Sequence, residues 1–375
     1  MFGFGNTLYN VHRTPPAPPV STTLYTGTNI TSLESVTYDQ YDPASGPPTG
    51  NYPIHSDTLL NWLYSQGVRQ ARVTMSMEAI TGDYIFNSPR YSAGGGADPS
   101  GLYLAYWNAL VSLVNRLIAL GIHVIVEPWQ YNAGTGDTDI CYQGAAMVDL
   151  GFKSWWTYFS QAFVAATTSS EYLSFGLINE PHSGALTGGG SVSSWYAFAQ
   201  AAITGIRSVG VTNRIYVPGW SYADCASFVS NGSAAQHLLL TDSNNNLAVS
   251  VHNYNGQLTI NGNNSSTTAL RDAMAAVVSW SRSNGNILIN VGELAIDVGS
   301  PNGSSSVATN QWSDWQSYCV TNKDIITGWE WWAVSENGWW GTGDSSTSFN
   351  WGLTNGSNTT ASVYMNLIQT SLGAF

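Results

Sequence analysis

Short apolar runs alternate along the chain with longer amphipathic runs, and glycine, serine or asparagine residues stand between them. The short runs are rich in β-branched and aromatic residues, which is typical of buried strands. Eight strands are predicted, at residues 23–30, 70–76, 123–128, 173–179, 214–219, 247–254, 286–293 and 325–332. The clearest amphipathic runs predict helices at residues 57–67, 101–121, 191–210 and 267–285. Each of these four runs ends at a glycine, which readily adopts the left-handed conformation after a helix.

The alternation of strand and helix predicts an α/β fold whose parallel strands are joined by right-handed crossovers. Eight such units favour closure into a (β/α)8 TIM barrel over an open sheet. No G-x-G-x-x-G motif follows the first strand, which argues against a dinucleotide-binding fold. Residues 1–20 include the proline-rich run RTPPAPPV and are predicted to form an arm, with residues 21–375 as a single barrel domain.

Charged residues make up only 9% of the chain, and the net charge at pH 7 is -12. Lys and Arg are scattered singly, which argues against a nucleic-acid partner. No uninterrupted apolar run is long enough to cross a bilayer, so we expect no membrane contact. The low lysine content and the abundance of Ser, Thr, Asn and Gly are typical of exported proteins. We therefore expect a secreted monomer, although no signal peptide is visible in the chain.

The cysteines Cys141, Cys225 and Cys319 lie far apart and lack the short spacing of a metal site. One disulfide with one free thiol and three buried thiols both fit the sequence. Asp137 and Asp139 offer oxygen ligands for calcium, but their spacing is unspecific and favours solvated loop acids. We therefore expect neither a cofactor nor a metal centre.

Aromatic residues are abundant, with 16 Trp and 20 Tyr. Most of them fit a large core, but others fall in polar, glycine-rich segments such as SENGWWGTGD, where no core periodicity exists. Sugar rings stack their C–H faces on flat aromatic rings and need hydrogen-bond partners for their hydroxyls. Trp339, Trp340 and Trp351 are candidates for such stacking, with ordinary packing as the alternative.

Two glutamates follow predicted strands in similar contexts. Glu180 lies in GLINEPHS, where a proline stops the strand, and Glu293 ends the apolar run ILINVGE. Strands 4 and 7 of a barrel face each other across its mouth, where reactive side chains cluster. Retaining cleavage of a glycosidic bond needs a carboxylic acid and a carboxylate roughly 5–5.5 Å apart. Either glutamate alone could be a structural ion pair, but together they predict a glycosidase.

These motifs resemble those of glycoside hydrolase family 5. The resemblance rests on NEP at residues 179–181 and GE at 292–293, supported by Arg72 in ARVTMS, HNY at 252–254 and WWA at 331–333. It implies a retaining endo-β-1,4-glucanase, similar to a cellulase, that hydrolyses β-glucan by double displacement. An endo-β-mannanase with the same glutamate pair and a non-catalytic carbohydrate-binding barrel remain as alternatives.

The resemblance also implies a role for each motif residue. Glu180 is expected to be the acid/base and Glu293 the nucleophile, with Arg72 and Tyr254 keeping its carboxylate ionised. Asn179 is expected to bond the sugar 2-hydroxyl, an interaction that strengthens in the transition state.

His252 is expected to shape the proton environment of Glu180, and Trp332 to form the floor beneath the sugar. Alternation along a strand points Trp331 the other way, so only one of the two tryptophans can do this. Two structural alternatives stay open: Arg72 could pair with Glu78, and His252 could be a satisfied core histidine.

The third strand departs from the family pattern. Where the family commonly has D-P-H-N, this chain has EPWQ, so Trp129 replaces a histidine and Gln130 an asparagine. Trp129 is expected to contact substrate as an aromatic platform and to alter substrate preference. Glu127 becomes a third candidate carboxylate, which we interpret as a support for the catalytic pair because its surroundings do not suit a general acid.

Overall fold

Eight parallel strands, within the part of the chain that the structure describes, close into a barrel in sequence order. This computed structural model describes residues 23–33, 55–76, 104–129, 152–182, 190–254, 266–296, 306–334, 353 and 361–372. The strands are β1 (Tyr25–Leu33), β2 (Gln70–Ser76), β3 (His123–Trp129), β4 (Leu173–Gly176), β5 (Ile215–Pro218), β6 (Leu247–Asn253), β7 (Ile289–Leu294) and β8 (Ile326–Val334). The (β/α)8 barrel predicted from the sequence is confirmed.

The described helices are α1 (Asp57–Ser65), α2 (Leu104–Ala119), α3 (Lys153–Ala166), α4 (Val192–Ser208), α5 (Ser233–His237), α6 (Ala269–Ser283), α7 (Ser306–Thr321) and α8 (Val363–Ile368). The four predicted helices are present as α1, α2, α4 and α6, each a few residues shorter than predicted. The glycines predicted to end them have φ angles of 79° to 102°, in the left-handed region where a side chain would be strained. These glycines therefore stop each helix and turn the chain into the next strand.

Aromatic side chains fill much of the layer between strands and helices. On α3, Trp155 stacks on Phe159 with ring centroids 4.5 Å apart, and Phe159 stacks on Phe163 at 5.0 Å. Trp156 packs edge-on against Phe175 of β4. These rings are fully or almost fully buried, which agrees with the expectation that most aromatic residues form core.

The lower half of the barrel interior holds a polar network beside an apolar cluster. The Gln70 and Asn290 side-chain amides both donate hydrogen bonds to the buried Glu330 carboxylate. Side chains from β3, β5, β6 and the residue before β7 form the apolar cluster: Ile125, Tyr216, Ala248 and Leu288. Burial raises the pKa of Glu330 to about 7, although both amides oppose that rise. The barrel thus carries a buried ionisable group well below its mouth.

Strand β4 is shorter than predicted and leaves the ladder before the functional segment. It ends at Gly176 rather than at residue 179. The chain stays near its neighbours because Leu177 N donates to Tyr216 O at 3.1 Å and Asn179 N to Pro128 O at 2.9 Å. The segment before Glu180 is therefore fixed without belonging to the sheet.

Several sequence expectations lie outside the described residues. They concern the arm at 1–20, Glu78, Gln130, Asp137, Asp139, Cys141, Trp339, Trp340 and Trp351. Cys225 and Cys319 are buried, and burial raises the pKa of the Cys319 thiol well above its ordinary value. Among the described helices, none combines the length and the apolar character needed to cross a membrane.

Candidate active site

Glu180 and Glu293 meet at the carboxyl end of the barrel. A carboxylate oxygen of Glu180 lies within 4.8 Å of one of Glu293, and His252 contributes a nitrogen to the same cluster. The Glu180 side chain is 15% exposed and that of Glu293 only 3%. This short separation suits attack by one carboxylate, whereas a pair that activates water between them stands about 6.5–9.5 Å apart. The more accessible glutamate is Glu180, and the more buried one is Glu293.

The Glu293 carboxylate is held at both oxygens. Arg72 Nη1 donates to Oε1 at 2.8 Å, and the Tyr254 hydroxyl donates to Oε2 at 2.6 Å. A register shift between β6 and β7 sets His252 opposite Glu293. The preceding Gly292 lets the Ser250 side chain come close to the strand, because a Cβ there would lie only 2.9 Å from Ser250 Oγ. The backbone and two donors therefore fix the direction of this carboxylate.

Burial raises the pKa of the Glu293 carboxyl above its ordinary value, and Glu180 adds to the rise by charge repulsion. His252, Arg72 and the Tyr254 hydrogen bond each oppose it. The Tyr254 hydroxyl remains a donor because burial and the two nearby glutamates raise its own pKa well above the usual range. The Glu293 carboxylate is thus shielded from water and surrounded by a few hydrogen-bonding and charged side chains.

His252 links the two glutamates. Its Nδ1 lies 2.7 Å from Glu180 Oε1 and 3.4 Å from Glu293 Oε2. Burial lowers the pKa of the imidazole to about 4, chiefly by desolvation, so the ring is neutral near pH 7 and donates from Nδ1. Its Nε2 has no hydrogen-bond partner among the described residues. The ring therefore belongs to the glutamate cluster and is not a satisfied core histidine.

Arg72 is the fully buried cation of the site. Its Nη1 also donates to Asn29 Oδ1 at 2.6 Å, and its Nη2 contacts both Glu127 Oε1 and Asn179 Oδ1. Asn29 was not predicted as a site residue, because its strand carries no distinctive motif. The Asn29 Nδ2 atom donates a hydrogen bond to Gly292 O at 2.9 Å and so connects β1 to β7. Arg72 has Glu127 and Glu293 as its carboxylate partners within the described chain.

Trp331 and Trp332 are consecutive residues of β8, so regular alternation along the strand directs their side chains to opposite sides. Trp331 is buried against Trp312 of α7 and Tyr364 of α8, outside the barrel. Glu330 points into the barrel, so the alternation of side chains places Trp332 on the interior face above it. Trp129 is the last residue of β3, and its side chain lies outside the described part of the structure.

Comparison with known proteins identifies the family. The model of the family described as cellulase (glycosyl hydrolase family 5) matches residues 38–335. This chain is a member of the cellulase family. It is therefore a glycoside hydrolase, and the resemblance found in its motifs is confirmed.

Relatives in the cellulase family are distant in sequence. Endo-β-1,4-glucanase A of Emericella nidulans is 26% identical over 307 residues, which cover 78% of this chain and 80% of that protein. Probable endo-β-1,4-glucanase B of Aspergillus oryzae is 25% identical over 297 residues, covering 78% and 76%. The chain thus aligns with most of the length of both proteins.

Solved structures of the family share the fold. XacCel5A in complex with cellopentaose superposes with a TM-score of 0.72 at 20% identity, covering 94% of this chain and 99% of that chain. Cel5A (EG2) from Hypocrea jecorina gives 0.64 at 20% identity, covering 96% and 99%. At 20% identity these structures support the barrel fold alone, so the roles of individual residues are argued from the geometry of the site.

An aromatic pair beside Glu180, partly exposed to solvent, was not predicted from the sequence. The rings of His182 and Tyr222 stack 4.2 Å apart at an interplanar angle of 17°. Tyr222 is 49% exposed, and its N–H donates to Pro181 O at 3.2 Å. Tyr222 and its two neighbours have φ angles of 54° to 63°, a conformation that costs energy for residues with side chains. The only sequence signal was a tyrosine in a polar turn after β5.

The cluster could in principle accept a metal ion. Glu180, His252 and Glu293 each offer an atom within 4.8 Å of the others. A cation there would have to replace the 2.7 Å contact between His252 and Glu180 and would occupy both carboxylates needed for glycosidase chemistry. The arrangement therefore fits proton transfer and nucleophilic attack better than metal binding.

Proposed function

We propose that this chain is a retaining endo-β-1,4-glucanase, with Glu180 as acid/base and Glu293 as nucleophile. The observation that carries the proposal is the short distance between the two carboxylates, one partly exposed and the other buried between Arg72 and Tyr254. A non-catalytic carbohydrate-binding barrel would have no need for this assembly. The proposed function thus rests on the site as a whole.

In the first step, a Glu293 oxygen attacks the anomeric carbon. A bond forms between that oxygen and the carbon, while the glycosidic C–O bond breaks and the leaving oxygen takes the proton of Glu180. Arg72 and Tyr254 orient the attacking carboxylate from both sides. The product is a glycosyl ester of Glu293 with an ionised Glu180.

In the second step, Glu180 removes a proton from water, and the water oxygen displaces Glu293 from the anomeric carbon. Two inversions at the same carbon give net retention. His252 supports both steps, because a neutral imidazole donating from Nδ1 stabilises Glu180 most when that carboxylate is charged. The histidine is therefore a positioning residue for the proton that Glu180 gives and recovers.

Asn179 and Trp332 would bind the sugar at the cleavage point. The Asn179 Oδ1 is engaged by Arg72, while its buried Nδ2 has no partner among the described residues. That N–H group would donate to a sugar hydroxyl, and the 2-hydroxyl is the one whose contacts strengthen in the transition state. Trp332 supplies an apolar surface for the ring.

The Tyr222 ring would bind the sugar on the leaving-group side. It lies beside the segment that carries Glu180, whose proton goes to the leaving oxygen. Stacking on His182 covers one face of the ring, and its 49% exposure leaves surface for a sugar. Longer chains would therefore gain more from Tyr222 than short substrates with small leaving groups.

We further infer that the natural substrate is a β-1,4-glucan and that the protein is exported and monomeric. The named relatives are endo-β-1,4-glucanases, and XacCel5A was solved with cellopentaose. Export is supported by the few basic residues and the polar, uncharged composition. A net charge of -12 does not favour nucleic acid or an anionic membrane surface as partner.

A reducing-sugar assay with carboxymethyl cellulose, glucomannan and xylan tests the proposal. Wild type should prefer the glucan, and Glu180→Gln and Glu293→Gln should each lose about a thousandfold or more in kcat (roughly 4 kcal/mol). Glu171→Gln, an exposed glutamate at the other end of the barrel, is the control and should keep full activity. If wild type prefers glucomannan, the proposed substrate is wrong, while the proposed mechanism stands. Full activity of either site variant would refute the assignment.

A further inference from the structure

Arg72 pairs with two carboxylates, of which only one forms a bond to the substrate in the proposed reaction. Its Nη1 holds Glu293 at 2.8 Å, and its Nη2 holds Glu127. All three side chains are almost completely buried. Formation of the glycosyl ester removes the negative charge of Glu293, but Arg72 stays charged. A second carboxylate then becomes necessary, because a buried unpaired charge costs several kcal/mol.

We propose that Glu127 is a positioning residue that serves as the counter-ion of Arg72 while Glu293 is esterified. The proposal rests on the proposed function, since it presumes a covalent intermediate on Glu293. Glu127 touches neither substrate nor reacting atom. It acts through Arg72, and it keeps the guanidinium paired in every state of the cycle.

The barrel is built to accommodate the Glu127 carboxylate. Gly176, the last residue of β4, faces it: a Cβ at that position would lie 1.8 Å from Glu127 Oε2. Any larger residue would therefore displace the carboxylate from Arg72. The Glu127 Oε2 atom has no hydrogen-bond partner among the described residues, so the contact of Oε1 with Arg72 orients the group.

The electrostatics agree with this role. Burial raises the pKa of Glu127 to about 7, Arg72 opposes the rise, and repulsion from Glu293 adds to it. Ester formation removes the Glu293 charge and leaves that of Glu180, whose repulsion of Glu127 is weaker, so ionised Glu127 is favoured in the intermediate. The other titratable groups around this trio are Glu180, His252, Tyr254 and Glu330. Burial alone would lower the pKa of Arg72, but both carboxylates keep it above its ordinary value, so the guanidinium remains charged throughout.

If Glu127 is the counter-ion of Arg72, Glu127→Gln should change the rates of the two chemical steps differently. The first step would leave Arg72 buried without a counter-ion, so ester formation should slow about tenfold or more. The second step would restore the Arg72–Glu293 pair, so ester hydrolysis should be unchanged or faster. A merely structural defect would slow both steps or reduce the number of active sites.

The experiment uses 2,4-dinitrophenyl 2-deoxy-2-fluoro-β-cellobioside, whose leaving group needs no acid. The release of dinitrophenolate gives the rate of ester formation, and recovery of activity after removal of excess reagent gives the rate of its hydrolysis. Glu330→Gln is the control, because Glu330 is an equally buried carboxylate bound by Gln70 and Asn290 instead of Arg72. It should change both rates less than about threefold.

Gly176→Ala is the second variant. It keeps the Glu127 charge but pushes the carboxylate away, and it should reproduce the slower formation and unimpaired hydrolysis if Glu127→Gln does not fold. Equal slowing of both steps, or an equal effect of Glu330→Gln, would overturn the proposal. Failure of wild type to form any stoichiometric adduct on Glu293 would instead refute the proposed function, so the two failures are distinguishable.

Discussion

The Tyr254 hydroxyl donates a 2.6 Å hydrogen bond to Glu293 Oε2, opposite the 2.8 Å contact of Arg72 with Oε1. The bond exists only while that oxygen accepts, so it favours the ionised carboxylate and lowers a pKa that burial raises. Ester formation needs the ionised form. The rate of the first step therefore falls as pH falls through the pKa of Glu293.

Tyr254→Phe should move the acid limb of the kcat/KM profile to higher pH by about half to one unit, because the carboxylate loses a donor. The measurement is kcat/KM on an aryl β-cellobioside between pH 3 and 8. Tyr106→Phe is a matched control, since it removes a buried 2.6 Å bond to Leu33 O away from the carboxylates. A shift to lower pH, or an equal shift in the control, would contradict the account.

Arg72→Lys should reduce kcat/KM about hundredfold or more, which corresponds to roughly 3 kcal/mol. A lysine keeps the charge but cannot reach Asn29, Glu127, Asn179 and Glu293 with a planar fork. Arg69→Lys is the control, because Arg69 Nη1 donates to the backbone carbonyls of Tyr64 and Val68 near the surface. Steady-state kinetics with thermal unfolding of both variants separates chemistry from stability. Near-normal kcat/KM in a folded Arg72→Lys protein would show that charge alone suffices.

Tyr222→Ala should lower kcat/KM for cellopentaose about tenfold, or roughly 1.4 kcal/mol, because the sugar loses the aromatic surface on which it stacks. The same variant should cleave dinitrophenyl β-cellobioside normally, because that leaving group has no sugar for the ring to bind. Tyr158→Ala removes a similarly exposed tyrosine from α3 and should affect neither substrate. An equal loss on both substrates would place Tyr222 outside the leaving-group side.

Glu330 predicts a pH dependence of stability. Burial raises its pKa to about 7 from an ordinary value of 4.5, so between these values the folded protein holds a proton that the unfolded chain has lost. The free energy of unfolding therefore falls with rising pH across this window, by about 3 kcal/mol at most. Glu330→Gln should flatten that part of the curve. Urea unfolding at pH 5 and pH 7.5 is the test, and parallel curves for variant and wild type would contradict it.

Much of the fold could be read from the sequence because strands and helices differ in period. The glycines after α1, α2, α4 and α6 were predicted from position alone, and their φ angles agree. The end of β4 was placed three residues too late. The apolar run continues to Ile178, and its residues are buried whether or not they join the ladder, so hydrophobicity does not mark the boundary.

The candidate site was predictable where motifs fall at strand ends. Glu180, His252 and Glu293 come together as expected, with Arg72 and Tyr254 around them. Contacts that form only when the barrel closes could not be predicted from the sequence. Asn29 reaches Gly292 across 263 positions of sequence, and no local pattern records that contact.

Two further contacts could not be predicted from the sequence, because they depend on how separate segments pack in the folded protein. The pairing of Glu127 with Arg72 depends on the space above Gly176, which belongs to another strand. The His182–Tyr222 stack depends on a left-handed turn formed by residues with side chains, which sequence preferences would not place there.

Covalent trapping tests the central claim most directly. Wild type would be treated with a 2-deoxy-2-fluoro-β-cellobiosyl reagent, digested, and its labelled peptide sequenced by tandem mass spectrometry. The account predicts one cellobiosyl group per chain, attached to Glu293. A label on Glu180 or Glu127, or product of inverted configuration without any covalent adduct, would contradict it.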